Sequence, residues 1–297
     1  MPIIPGKTYL VTRRCTQRQF LLTPSPFINE TLIYLIGLAA SRKGVLIHAV
    51  CIMGNHLHLV LTDTQGELCE FCRWLFEFIA KCVNASRGRW ESLFASGTSY
   101  SRVELLDDDS VLDKIVYTLA NPVLAGLVPG GKQWPGIRLG PWQLGKGHTA
   151  KRPSFFRVDG AMPAKASLGI CKPPNFEHMD DKSYVEMIDK AVAKREEKVR
   201  RERSTQGKGF LGVKAIVEQS PTATPWSTEE GRQLNPRVAS PDKWRRIQAH
   251  QRDKAWQEHY REALDRYRAG NTNVEFPAGT YWMVRYAGAK CAVYEHD

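Results

Sequence analysis

Two histidines separated by one residue, His56 and His58, lie inside the apolar run Asn55-His56-Leu57-His58-Leu59-Val60. In a β-strand alternate side chains share a face. His56, His58 and Val60 then line one face, while Leu57, Leu59 and Leu61 line the other, against a core. Two imidazoles side by side on a sheet are half of a metal site. Taken alone, the pair is more commonly two half-exposed histidines without a role.

A metal needs further ligands, and chemistry needs a nucleophile. Tyr117 and Asn121 lie four residues apart in a helical pattern, a spacing that puts both on one helix face. A phenol titrates near 10 in water, at about the value of free tyrosine, and a nearby cation lowers that. A tyrosine beside a metal is therefore suited to attack phosphorus. Asn121-Pro122 is also the pattern of a helix cap followed by proline, and proline disfavours helical geometry in the residue before it. Spacing alone leaves both roles open for Asn121, cap or ligand.

These residues need a frame. Thr8-Tyr9-Leu10-Val11-Thr12 is β-branched and aromatic and reads as a strand. Ser25-Pro26 opens a helix carrying Ile28, Leu32, Leu35, Ile36 and Ala39, which Gly44 ends. Val45 to Met53 and His56 to Leu61 form a strand pair about the turn Gly54-Asn55. A second amphipathic helix covers about Glu67 to Val83, Arg87-Gly88-Arg89-Trp90 is a basic loop, and Val103 to Leu106 is a short strand. Ser110, with Asp113 as reciprocal partner, is expected to cap a third helix, which carries Tyr117 off its apolar stripe. The order strand, helix, strand pair, helix, strand, helix predicts an α+β fold: an antiparallel sheet with helices on one face. The face carrying His56 and His58 is expected to be open to a ligand.

After about Gly147 the composition shifts toward Gly, Pro, Lys and Ser, which reads as a linker or irregular lobe. Tyr184 to Arg203 is helical and basic, and 205–240 is mostly irregular. Pro241 to Arg268 is a long helix, and Tyr281-Trp282-Met283-Val284 reads as a strand. The expected division is 1–146, a catalytic domain; 147–205, a linker and basic helix; and 206–297, a basic extension.

The 297 residues hold 42 Lys plus Arg against 31 Asp plus Glu, a formal charge of +11. That surplus suits a polyanionic partner, nucleic acid first. The cysteines number seven, an odd count, and the first residues carry no signal-peptide pattern. Reduced thiols in the cytoplasm are expected, with Cys69 and Cys72 as core thiols. The longest apolar stretch, Thr31 to Ala40, is too short to span a bilayer, so the chain is expected to be soluble with no membrane partner.

Met53-Gly54-Asn55-His56-Leu57-His58-Leu59-Val60, followed by Tyr117-x-x-x-Asn121-Pro122-Val123-x-Ala125-Gly126-Leu127-Val128, resembles the HUH single-tyrosine transposases. Within them it is most similar to the REP-associated tyrosine transposase branch. The resemblance spans roughly residues 6 to 130. It implies a ferredoxin-like sheet, His56, His58 and Asn121 as ligands of a divalent cation, Mn²⁺ or Mg²⁺, and Tyr117 as nucleophile. It further implies single-stranded DNA as substrate, with a hairpin beside the cleavage point, cut and rejoined through a 5′-phosphotyrosine. Asn235-Pro236-Arg237 and Phe276-Pro277-Ala278-Gly279-Thr280-Tyr281 resemble pieces of extensions found in some of these transposases.

Arg13, Arg14, Arg87 and Arg89, with Trp90 for stacking, are candidate DNA contacts, although each also suits an ordinary solvated surface. Whether the chain acts as a monomer or a homodimer is open. One competing reading is a domesticated protein that binds DNA or RNA hairpins without cutting. Another is a zinc hydrolase with Asp63 as base.

Overall fold

In the computed structural model, which describes residues 2–95, 100–226 and 236–294, the first half of the chain alternates strands and helices. Strand β1 (Lys7–Arg14) leads to helix α1 (Pro26–Lys43), whose first turn is capped by Ser25 Oγ accepting from Ile28 N–H at 3.2 Å. Gly44 ends α1 in the left-handed conformation, at φ 59°. β2 (Val45–Ile52) and β3 (His56–Asp63) form the expected hairpin, followed by α2 (Leu68–Arg87), β4 (Ser101–Leu105) and α3 (Asp108–Leu124). Two further elements complete the sheet, β5 (Arg138–Leu139) and, far along the chain, β8 (Val238–Ala239).

The order β5-β2-β3-β1-β4-β8 contains the ferredoxin-like core β2-β3-β1-β4, with each neighbouring pair antiparallel. The α1 crossover leaves a one-strand gap between β1 and β2, and the hairpin partner β3 folds back into it. Arg14 stands opposite His56, and Thr12 opposite His58. A bulge in β2 at His48 shifts the register. Beyond it Val50 and Ile52 replace the odd-numbered positions on the face that Ile47 begins.

One face of the sheet, with Tyr9, Val11, Leu57, Leu59 and Leu61, packs under α1 and α2 as the pattern predicts. The other face is not left open. Leu10, Ala49, Val60, Val103 and Leu105 point that way and are covered by α3 and by α4 (Asp181–Thr205). The strands are thus apolar on both faces for most of their length, so both must be roofed. The end carrying His56 and Arg14 emerges from the cover, into a cleft.

Three local expectations are revised. The cap of α3 is Asp107, whose carboxylate accepts from Ser110 N–H at 2.8 Å while Ser110 Oγ accepts from Asp107 N–H at 3.2 Å. Ser110 is therefore the third helical residue of a reciprocal capping box, one turn later than expected. Helix α3 does not restart at Asn121-Pro122 but runs through both to Leu124. Residues 147–169 are an ordered hairpin, β6 (Gly147–Lys151) with β7 (Lys165–Gly169), seated on α1. A Cβ at Gly37 would lie 2.6 Å from Ser167 O, so only glycine permits that approach.

The C-terminal part begins with α5 (Val213–Val217) and β8 (Val238–Ala239), which pairs parallel with β4. Helix α6 (Lys243–Arg268) docks beside it. Arg252 donates to both oxygens of the buried Glu104 carboxylate on β4, at 3.0 and 2.7 Å. After β9 (Glu275–Phe276), the expected strand at 281–284 is instead α7 (Trp282–Ala287), and β10 (Lys290–Cys291) closes a small parallel pair with β9. All seven cysteines are free thiols, with Cys72 buried. Among the described residues no helix is long and apolar enough to cross a membrane.

Candidate active site

The two histidines leave the sheet side by side, with ring centroids 4.7 Å apart and planes nearly perpendicular. Each ring is held from behind through Nδ1. The Nδ1–H of His56 donates to Asn55 Oδ1 at 2.7 Å, and Asn55 is itself fixed by donating from Nδ2 to Arg18 O at 3.1 Å. His58 Nδ1 lies 3.0 Å from Thr12 Oγ1, its neighbour across the β1–β3 ladder. The Asn55 oxygen can only accept, which puts the His56 proton on Nδ1 and leaves its Nε2 lone pair free, while the Thr12 hydroxyl, able to donate or accept, positions the His58 ring.

The surroundings favour the neutral form of both rings. Burial, reinforced by the positive charge of Arg14, pushes His56 down to about 4. Burial, the proximity of His56 and Arg14 hold His58 well below its ordinary value. Neutral imidazole is the form that binds a metal.

Helix α3 brings the remaining pair. The Asn121 amide is buried with Nδ2 3.3 Å from His58 Nε2, and it also reaches the His56 ring. Turning this carboxamide by half a rotation exchanges its nitrogen for its oxygen. The oxygen then points where the two imidazole lone pairs point. Among the described residues no three His, Cys, Asp or Glu side chains come together as a metal cluster. Asn121 is placed to offer a metal at the two histidines a third protein donor, and two imidazoles with one amide oxygen suit a divalent ion of intermediate hardness. Tyr117, one turn before Asn121, is half-buried, and its ring centroid is 5.4 Å from that of His58.

His56, His58 and Tyr117 line a cleft of about 1380 Å³. Its lining includes Thr12, Arg14, Arg18, Lys114 and Tyr117, and, from the C-terminal part, Ser240 and Arg246. Lys114 Nζ lies 5.9 Å from the Tyr117 ring centroid and pairs with Asp113 at 2.8 Å. Arg195 of α4 grips the other oxygen of Asp113, also at 2.8 Å. Burial would raise the Asp113 carboxyl, but these two cations outweigh it and keep its pKa below the ordinary carboxylate range.

Of the other residues singled out from sequence, Arg14 lines the cleft on the histidine face. Arg13 projects to the opposite face, where Phe76 and Phe94 flank its guanidinium at 5.7 and 5.1 Å, and it borders the cleft from there. Arg87, Arg89 and Trp90 do not line the cleft. Arg87 donates to Leu21 O at 3.3 Å, Arg89 lies 3.6 Å from Glu91, and Trp90 is 95% exposed. Asp63 caps α2, accepting from Glu67 and Leu68 N–H at 2.9 Å each. It sits five residues along β3 from His58, about 17 Å at the usual strand rise, and is not placed to serve the histidines as a base. Pro236 borders the cleft, whereas Asn235 lies outside the described residues.

Thr12, Asn55 and Lys114 stand beside these side chains and are not singled out by the sequence reading. Asn55 stands next to the motif but reads as a turn residue. Thr12 meets His58 only through strand register.

No protein-family model and no curated protein matches the chain. Among solved structures it is similar to a REP-associated tyrosine transposase bound to a REP hairpin, at 17% identity and a TM-score of 0.39, over 46% of this chain and 78% of that one. It is also similar to a candidate transposase from Deinococcus radiodurans R1, at 18% identity and a TM-score of 0.28, over 33% of this chain and 78% of that one. At these values neither likeness bears on the chemistry of the site.

Proposed function

We propose that the chain is a metal-dependent DNA strand transferase that cuts and rejoins single-stranded DNA, acting beside a hairpin. The observation that carries this reading is the convergence of Tyr117 with His56 and His58 at a cleft bordered by Arg14, Lys114 and Arg246, with Asn121 against His58. Hairpin and single-strand preference come from the motif resemblance, and the basic lining suits a phosphodiester.

His56, His58 and Asn121 would hold Mn²⁺ or Mg²⁺, which supplies charge neutralisation at the phosphoryl oxygens. The Tyr117 oxygen attacks phosphorus, and the bond from phosphorus to the 3′ oxygen breaks. The DNA 5′ phosphate is left on Tyr117, and the departing strand leaves as a 3′-OH, taking a proton as Tyr117 loses one. A 3′-OH attacking the phosphotyrosine reverses the step and rejoins DNA without an outside energy source. Lys114 brings a cation to the side of the tyrosine ring, where a phosphate oxygen would arrive. Asn55 and Thr12 orient the two imidazoles.

The test is a covalent adduct. The full chain is incubated with Mn²⁺ and labelled single strands from the DNA flanking its own gene, then run on a denaturing gel. The expected result is a protein–DNA adduct lost in Tyr117→Phe and in His56→Ala. Tight binding without an adduct, over several metals and hairpin substrates, overturns the reading and leaves a binding protein.

A further inference from the structure

A second cavity, of about 870 Å³, lies between α2 and the C-terminal segment. Its deep side is built from Phe76, Phe94 and Tyr100 together with Trp256 and Tyr260 of α6. The last two are stacked with centroids 5.2 Å apart and planes at 18°, and Trp256 Nε1 donates to Ala278 O at 2.7 Å. Its outer wall is α7, where Trp282 and Tyr286, one turn apart, face each other at 4.4 Å. This wall is tied to α2 at one carboxylate, Glu70, to which Tyr281 Oη donates and beside which Arg285 Nε lies at 3.6 Å.

Trp282 and Tyr286 are 66% and 56% exposed. Large rings held on an anchored wall and left in water are an interaction surface rather than a core. The charges around the cavity define the partner. Arg13, Arg73 and Arg102 line it with one acidic lining residue, Glu77, and Arg73 is itself paired with Glu70 at 2.7 Å and Glu77 at 3.5 Å. Flat rings with guanidinium groups between them match stacked bases joined by phosphates. Arg13 and Tyr100 line both this groove and the cleft at Tyr117. The two cavities therefore adjoin at these two residues.

We propose that this groove is a second nucleic-acid site that takes unpaired bases of the strand whose phosphate is presented to Tyr117. The inference rests on the strand-transferase reading for the identity of that strand. Trp282 and Tyr286 stack on the bases, and the arginines face the backbone.

The test uses the full chain carrying Tyr117→Phe, so that binding is read without cleavage. The probe is a strand of about 16 thymidines, the upper end of site sizes for single-strand binders, with photoreactive 5-iodouracil substituted along it. Crosslinks mapped by mass spectrometry are expected in the peptide holding residues 279–287 as well as near the cleft. Trp282→Ala and Tyr286→Ala are each expected to weaken binding about tenfold, within the range for losing one stacked base. Crosslinks confined to the cleft, with unchanged affinity in both variants, overturn the groove proposal and leave the strand-transferase reading intact. No crosslink and no binding anywhere overturn both. A dimer that Trp282→Ala abolishes, with no crosslink at 279–287, assigns the groove to a second copy of the chain and overturns the proposal. The crosslinks come from the unsubstituted groove and do not depend on whether the variants fold.

Discussion

Asn55→Ala isolates the contribution of one hydrogen bond to the candidate metal site. Asn55 makes two side-chain bonds, accepting from His56 Nδ1–H at 2.7 Å and donating to Arg18 O at 3.1 Å. Loss of the first frees the imidazole to rotate and to change tautomer. Removing such an outer partner typically weakens metal binding 10- to 100-fold, about 1.4 to 2.8 kcal/mol. Loss of the second removes about 1 kcal/mol of stability. It also loosens Gln17 and Arg18, two non-glycine residues held at positive φ of 47° and 60°. The expected result by calorimetric titration with Mn²⁺ at pH 7.5 is a 10- to 100-fold higher Kd, with a Tm lower by a few degrees. Asn55→Asp separates the two effects, because it keeps an acceptor for His56 while replacing the donor to Arg18 with a charged acceptor. It is expected to bind Mn²⁺ within about threefold of the parent, since the retained bond is the one that orients the ligand. If Asn55→Ala binds Mn²⁺ as the parent does, or if Ala and Asp lose affinity equally, the assignment of Asn55 to His56 orientation is refuted.

Thr12→Val removes the oxygen beside His58 Nδ1 without changing side-chain shape, and the same titration should show a comparable loss of affinity; unchanged affinity counts against register-set orientation. Arg252→Ala strands the Glu104 carboxylate, buried on β4, without its bidentate partner. Arg252 is about one-third exposed, which trims the 3–5 kcal/mol usual for breaking a buried pair to about 2–3 kcal/mol. Urea unfolding should show Glu104→Gln restoring part of this in the double variant, and strictly additive losses would mean that the pair is not coupled. Gly37→Ala drives a methyl into the Ser167 backbone. It should cost about 1–3 kcal/mol and speed proteolysis within 147–169, whereas an unchanged Tm would mean that the hairpin does not seat on α1. Burial pushes the imidazole of His48 down to about 4, and burial with Arg14 does the same for His56, against about 6.5 in an unfolded chain. Between those values the unfolded chain binds protons that the folded chain refuses, so stability is complete above about pH 6.5 and falls as pH drops toward 4. Each site contributes up to about 3 kcal/mol. Urea midpoints from pH 7.5 to 4.5 check this, and a flat profile, or one less steep in neither His48→Gln nor His56→Ala, contradicts it.

Local pattern in the sequence makes the elements from β1 to α3 legible, and with them the faces that the histidines and Tyr117 occupy. Alternation in His56 to Leu61 placed the histidines on one side of β3, Ser25-Pro26 and Gly44 bounded α1, and the four-residue spacing put Tyr117 and Asn121 on one helical face. These are short-range facts, set by the periodicity of the backbone and by capping chemistry within a turn. The cap of α3 was misread because Asp107, Asp108, Asp109 and Ser110 all offer a capping oxygen, and the choice among them depends on where β4 ends. The continuous helix through Pro122 was likewise not legible, because packing of α3 against the sheet and α4 holds a turn that local preference disfavours. Tertiary structure alone brought α3 onto the histidine face, so that Asn121 meets His58 across 63 positions in the chain. It alone set Thr12 behind the ring through strand register, and seated the C-terminal segment against β4 and α2 through Arg252 and Glu70. Contacts between residues so far apart depend on which surfaces remain unburied once local elements have formed, and no local pattern encodes that.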